Sequence, residues 1–169
     1  MTDTAITKRE PNKLDIAEAK MLEYDTVPLP LFHRFTPGLY IREIHIPAGI
    51  AASTRRHKQE HPFVILEGNG WIVSEDEAPQ EYVAPYFGIT PKGTRRVVIA
   101  ETDTRWITFH ATDLVDPDQI GEELTEHSGN PLIENHDDPK VNLWRTTNTL
   151  STVCHMPQLE AAHNTGDIV

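Results

Sequence analysis

The 169-residue chain carries a formal net charge of -11, with 38% hydrophobic and 7% aromatic residues and a single cysteine, Cys154. Such a length holds one domain with a proper core, and the lean apolar content leaves some of it for tails and loops. The acidity disfavours a phosphate-backbone partner, the lone cysteine excludes an intrachain disulfide or a thiolate zinc cluster, and no apolar run is long enough to span a bilayer.

The polar opening, "MTDTAITKREPNKLD", lacks the apolar core of a secretory signal, so export by a signal peptide is not expected. "DIAEAKMLEYD" places Ile16, Ala17, Met21 and Leu22 at helical spacing, with Asp15 as N-cap and Glu18 completing a capping box. A helix of about two to three turns needs a surface to pack on. The prolines of "VPLPLFHRFTPG" then exclude a helix or a central strand. Residues 1–36 are therefore expected to form an N-terminal helix and arm.

Residues 37–113 read as strands. "LYIREIHI" alternates, and "PFVILEG", "GWIVSED", "RRVVIAE" and "RWITFHATD" are apolar runs broken by Pro47-Ala48-Gly49, Gly68-Asn69-Gly70 and Pro91-Lys92-Gly93. Short strands with close turns predict an all-β antiparallel sandwich or barrel. Alternation puts Tyr40 and Arg42 on one side of their strand, the candidate cavity side, and Glu43 on the other. The clusters Arg55, Arg56, Lys58 and Lys92, Arg95, Arg96 read as solvated face charges.

Residues 114–169 turn polar. Asp116 as cap with Pro117 at the first helical position starts a short helix expected to run through Glu126 and stop near Gly129. Beyond it no periodicity persists, which predicts an extended arm whose isolated Trp144 would anchor it to another surface. Cys154 and His155 are adjacent without a third partner, and the chain has no G-x-S-x-G elbow or glycine-rich phosphate loop.

"HKQEHPFVILEGNG" (57–70) carries the chemistry. His57-Lys58-Gln59-Glu60-His61 matches H-x-x-E-H, which binds metal only on a helix, where positions four apart are neighbours. Pro62 and the strand-like run after it exclude that helix. On a straight strand the two histidines would lie roughly 13 Å apart, too far for one ion with bonds of about 2 Å. They share a pocket only if the chain bends between them.

Such a bend, with the flanking glycines, resembles the cupins. Gly49 fits the opening glycine of the first cupin motif and Gly68 the closing one, with Arg55 and His57 at its paired-histidine positions and His61 at its glutamate position. Gly88, "ITPKG" and Arg96 resemble the second motif, Arg96 standing at its histidine. The resemblance implies a single cupin-like jelly-roll barrel with a short N-terminal helix and a long C-terminal arm containing a short helix. It also leaves arginine at two of the four metal positions, where a guanidinium cannot act as a ligand. His57 and His61 remain as the metal candidates, with a third ligand from His110, His45 or Glu60; no cofactor is expected, and a divalent metal is the alternative. Arginines at a barrel mouth instead favour a carboxylate or phosphate, giving a ligand set of Tyr40, Arg42, Arg55, His57, His61, Arg96 and His110.

The stretch 14–112 is also similar to small cupin-like proteins of tailed bacteriophages, through "HRFTPGLYIREIHIPAG", "HKQEHPFVILEG", "GITPKGTRRVV" and "WITFHATD". That resemblance implies a non-enzymatic accessory protein of the virion or host cytoplasm, its barrel a docking module and its arms serving virion or homo-oligomer assembly. Its partners would be further copies of itself and other phage structural proteins, without nucleic acid or membrane. The alternatives are a binding protein for an anionic or polar metabolite and a metal-dependent isomerase or dioxygenase.

Overall fold

The computed structural model describes residues 9–126, 129–133 and the strand at 152–155. A first helix, α1 (Lys13–Met21), leads into β1 (Leu31–Thr36), β2 (Leu39–Ile46), β3 (Ile50–Ser53), β4 (Arg56–His57) and β5 (His61–Glu67). Then come β6 (Asn69–Ser74), β7 (Gln80–Val83), β8 (Tyr86–Thr90), β9 (Arg96–Ala100) and β10 (Thr104–Ala111), followed by α2 (Pro117–Leu124), β11 (Thr125–Glu126) and β12 (Thr152–His155). Among the described residues the strands form two five-stranded sheets, ordered β1-β2-β10-β5-β8 and β12-β3-β9-β6-β7, and a ribbon of β11 with β4. Every pairing is antiparallel. The architecture is thus the expected all-β one, flanked by two short helices.

The period-two pattern decides what lies inside. Between the sheets sit Ile44 and Ile46 of β2, Phe63 and Ile65 of β5, Ile72 of β6, Tyr82 of β7, Val98 and Ala100 of β9 and Trp106 of β10, all buried in one cluster. A single buried side chain of this size contributes roughly 1.5–3 kcal/mol. Gly70 is required where β6 crosses β9, since a Cβ there would lie 2.0 Å from the Ile99 carbonyl oxygen.

The two outer faces differ. On the second sheet, Ala51, Val97 and Ile99 are covered by Leu14 and Met21 of α1. Among the described residues no helix covers the first sheet, and Phe87, Ile89, Leu66 and Phe32 stay exposed there. Glu43 points to that side, held by Arg34, Arg105 and His45. Hydrogen bonds from Arg105, His45 and Arg34 keep its carboxyl at about 2. Arg42 and Glu43 therefore face opposite ways, as parity requires. No described helix is long and apolar enough to cross a membrane.

Several expectations need correction. The N-cap of α1 is Asn12, three residues before the expected Asp15; Asn12 accepts from the Leu14 and Asp15 amides while the Asp15 carboxylate accepts from the Asn12 amide at 2.8 Å. Asp15 and Glu18 are instead turned inward onto Arg95, at 2.9 and 3.2 Å. Arg95 is 0% exposed, so it is no solvated face charge, and Asn130 joins the same network by donating to Glu18. β1 lies within the stretch expected to be arm; Pro28 and Pro30 precede it and Pro37 follows it, so the strand itself carries no proline, and it sits at the sheet edge. α2 starts at the expected cap and proline but ends at Leu124, because Thr125 is already extended and pairs with His57. Trp144 lies outside the described residues, as does most of the expected C-terminal arm.

Candidate functional site

The inward side chains form layers along the barrel axis. Register places Tyr40 against His110, Arg42 against Thr108 and Ile44 against Trp106 on β2 and β10. His61 lies against Thr90 and Phe63 against Gly88 on β5 and β8. On the opposite sheet Val98 pairs with Ala52, and Arg96 is two residues before Val98 on the same face. The polar layers thus gather at the end where α2 packs Ile120 and Leu124 on Tyr40. The layers beyond are apolar.

Between them is a cavity of about 50 Å³. Arg42, Arg96, His57, His61, Thr54, Thr90 and Thr108 line its polar end, and Ile44, Ile46, Ala52, Val98 and Trp106 its floor. No carboxylate is among these lining residues.

Local structure explains how His57 arrives there. The chain leaves β3 at Ser53, makes the two-residue β4, turns through Lys58–Glu60 and enters β5 at His61. Gly93, at φ +81, ends the Pro91-Lys92-Gly93 turn and donates to the His57 carbonyl at 2.7 Å, while the His57 amide donates to the Thr94 carbonyl at 3.0 Å. The second motif's turn therefore fixes the first motif's histidine. The bend brings the His57 and His61 rings to 4.4 Å between centroids, and His110 lies 4.2 Å from His61.

All three imidazoles are neutral at neutral pH. Burial, with His61 and His110 beside it and Arg42 and Arg96 beyond, drives His57 well below its usual range. Burial lowers His61 to about 4, the Gln59 carbonyl opposing and Arg96 and Arg42 reinforcing the shift. Burial, His61 and Arg42 push His110 down to about 3. His57 Nδ1 is buried with no hydrogen-bond partner among the described residues.

The arginines supply the charge. Burial pushes Arg42 down to about 10, which leaves it protonated at neutral pH. Arg96 is also lowered by burial, and its guanidinium sits 5.1 Å above the Phe63 ring centroid. Gly88 permits that arrangement, because a Cβ at this position would lie 2.5 Å from the Phe63 ring. Guanidinium groups and threonine hydroxyls around one cavity are groups that can hydrogen-bond an anion.

The expected ligand set is only partly assembled. Arg42, His57, His61 and Arg96 line the cavity. Tyr40 and His110 form the layer behind, ring centroids 5.9 Å apart, and Tyr40 hydrogen-bonds His33 Nδ1 at 2.6 Å. Arg55 does not line the cavity; it lies 3.5 Å from Glu122 of α2. The chain irregularity between Ser53 and Arg56 breaks the parity that would have put Arg55 and His57 on one face. Thr54, Thr90, Thr108 and the apolar floor escaped sequence reasoning, although Thr108 shares a face with His110 by parity and was in that sense findable.

For a metal ion, His57 and His61 come together and His110 joins them, whereas His45 pairs with Glu43 outside and Glu60 is exposed. Among the described residues, no group of three or more His, Cys, Asp or Glu side chains is arranged to hold an ion. Two guanidinium groups, Arg42 and Arg96, line the cavity beside the cluster, and their positive charge opposes a cation there.

No protein-family model matches the chain, and no curated protein matches it in sequence. Solved structures do match in fold. Ectoine synthase from P. lautus aligns over 60% of this chain and 77% of its own, at 15% identity and a TM-score of 0.50. A cupin family protein with a double-stranded β-helix fold from Methanocaldococcus jannaschii aligns over 53% and 84%, at 15% identity and TM-score 0.45. DMSP lyase DddQ from Ruegeria pomeroyi aligns over 52% and 49%, at 16% identity and TM-score 0.45, so the match spans about half of the lyase's length. These likenesses concern the fold, which is cupin-like; they carry no activity across.

Proposed function

We propose that the chain is a binding protein for a small anion held in the barrel cavity. One observation carries this reading: the Arg96 guanidinium lines the cavity with its Nε buried and without a hydrogen-bond partner among the described residues, beside His57, His61 and three threonines. A partly desolvated positive charge facing hydrogen-bonding groups favours an anion that replaces its lost hydration. The neutral histidines and threonine hydroxyls add hydrogen bonds without competing charge.

Thermal unfolding with acetate, phosphate and sulfate tests this reading. An anion at one hundred times its Kd stabilises by about 2.7 kcal/mol, several degrees of Tm for a domain of this size. Arg42→Met and Arg96→Met should each weaken the effect at least about tenfold. No stabilisation by any anion, or a shift unchanged in the double variant, removes the reading. One divalent ion per chain in metal analysis of the purified protein would replace it with the metal-dependent alternative.

A second reading keeps the assembly role, and the uncovered sheet face favours it. Register aligns Phe32, Glu43, Ile107, Val64 and Phe87 in one cross-strand row, with Arg34, Ile41 and Phe109 aligned beside it on β1, β2 and β10 and Pro62 against Ile89 on β5 and β8. Both charge signs border these rows, Arg105 beside Glu67, as an isologous contact between two copies can use. A phage-type accessory protein would assemble through this face. A monomeric mass in solution at tens of micromolar would dismiss that.

A further inference from the structure

We propose that the anion held in the cavity carries a hydroxyl of its own, its charged oxygens on Arg96 and its O–H donated to Nε2 of His61. This rests on the anion-binding reading and names the ligand class, an α-hydroxycarboxylate or a protonated oxyanion. The tautomer of one imidazole carries the inference. His61 lines the cavity, and its Nδ1 lies 3.4 Å from the Gln59 carbonyl oxygen. A carbonyl oxygen only accepts, so Nδ1 holds the ring proton in that contact. Burial keeps the ring neutral, and a neutral imidazole protonated at Nδ1 has a bare lone pair at Nε2. Nε2 is the ring nitrogen farther from the backbone, on a side chain only 3% exposed.

The cavity therefore presents a fixed acceptor beside a fixed donor. Arg96 can only donate, and its Nε is buried without a hydrogen-bond partner among the described residues. The hydroxyls of Thr54, Thr90 and Thr108 rotate to serve in either role. The His57 ring lies 4.4 Å from that of His61, and its Nδ1 is buried without a partner among the described residues. No bond at Nδ1 fixes the His57 tautomer, so this ring can follow the ligand whereas His61 cannot. An anion built only of acceptors turns a lone pair toward the lone pair of His61 and leaves a buried acceptor unsatisfied. An anion that also bears a hydroxyl meets both demands, accepting from Arg96 and donating to His61.

Isothermal titration of the full chain at neutral pH with two matched pairs tests this. Glycolate has a hydroxyl where propionate has a methyl, and phosphate keeps a proton that sulfate, of the same shape, lacks. So compact a ligand binds no more tightly than roughly micromolar, so the titrations cover micromolar to millimolar concentrations. The hydroxyl-bearing member should bind at least about fivefold more tightly in one pair or both. A preference confined to glycolate identifies a hydroxycarboxylate, and one confined to phosphate a protonated oxyanion. His61→Met removes the acceptor and should bring the ratio to about one. Nitrogen NMR of isotope-labelled histidine in the unsubstituted chain reads the tautomer directly, in case that variant fails to fold, and should find His61 protonated at Nδ1. Equal affinities within both pairs, a ratio unchanged in His61→Met, or His61 protonated at Nε2 overturns the hydroxyl-bearing class and leaves the anion site standing. Absence of binding by every anion overturns both.

Discussion

Acidification from about pH 7 to about pH 5 should weaken the fold by at least about 2 kcal/mol through the cavity histidines. His61 is buried, 3% exposed, and titrates at about 4 when folded, against 6.5 as its ordinary value. His110, at about 3, and His57, well below 6.5, are shifted the same way. A histidine with a depressed folded pKa is protonated first in the unfolded chain. Its stabilising contribution is therefore complete above about 6.5 and is lost progressively as the pH falls toward the folded value. Each such group costs about 1.4 kcal/mol per pH unit in that window, or about 2 kcal/mol between 6.5 and 5. His61 alone supplies that amount, and the other two steepen the slope. Asp15 and Glu43, both held at about 2 when folded, also weaken the fold on acidification, but only below the ordinary carboxylate range of about 4, so the two windows separate.

The assay is urea unfolding at several pH values, in buffers free of small carboxylates because a cavity anion would stabilise the protonated cluster. The midpoint should fall with a constant m-value. His61→Asn should flatten the slope by about one proton, or 1.4 kcal/mol per unit. Equal stability at the two pH values, with unchanged m, would show that the imidazoles are not buried as neutral groups and would refute the reasoning.

Three further outcomes follow from single side chains. Arg95→Met strands the buried Asp15 and Glu18 carboxylates and should cost about 3–5 kcal/mol in urea unfolding; a loss below about 1 kcal/mol would mean that α1 does not depend on the network. Gly88→Ala forces a Cβ against Phe63, should cost about 1–3 kcal/mol, and should weaken anion binding by displacing the ring under Arg96; undiminished affinity would show that Phe63 does not position that arginine. Phe87→Glu, at a side chain 65% exposed, should leave the stability of the barrel within about 0.5 kcal/mol while lowering the solution mass to that of a monomer. An unchanged oligomer would place the interface elsewhere.

Much of the barrel was legible because strand parity is local. The run from Tyr40 to Ile46 needs no partner to separate Arg42 from Glu43, and the structure sends one to the cavity and the other to the outer ion-pair cluster. The turn at Pro91-Lys92-Gly93 and the helix start at Asp116-Pro117 are equally local, fixed by ring geometry and capping chemistry. The bend between His57 and His61 was a requirement stated by the sequence and satisfied by the fold.

What local pattern cannot supply is a long-range partner. Arg95 and Arg96 are neighbours of identical chemistry, yet one is sealed under α1 against Asp15 and Glu18 and the other lines the cavity. Arg55 would have shared a face with His57 on a continuous strand; the break before β4 turns it to Glu122 instead. The apolar floor needed Ile44, Val98 and Trp106 from three strands, side chains that read singly as ordinary core. By itself the sequence determined the alternation, the turns and the residue types available to a site, because those follow from each residue's own geometry. Only the tertiary structure decided which cations lose their water together and which acids are close enough to neutralise them, because desolvation and Coulomb energy depend on distances between segments that the chain order does not fix.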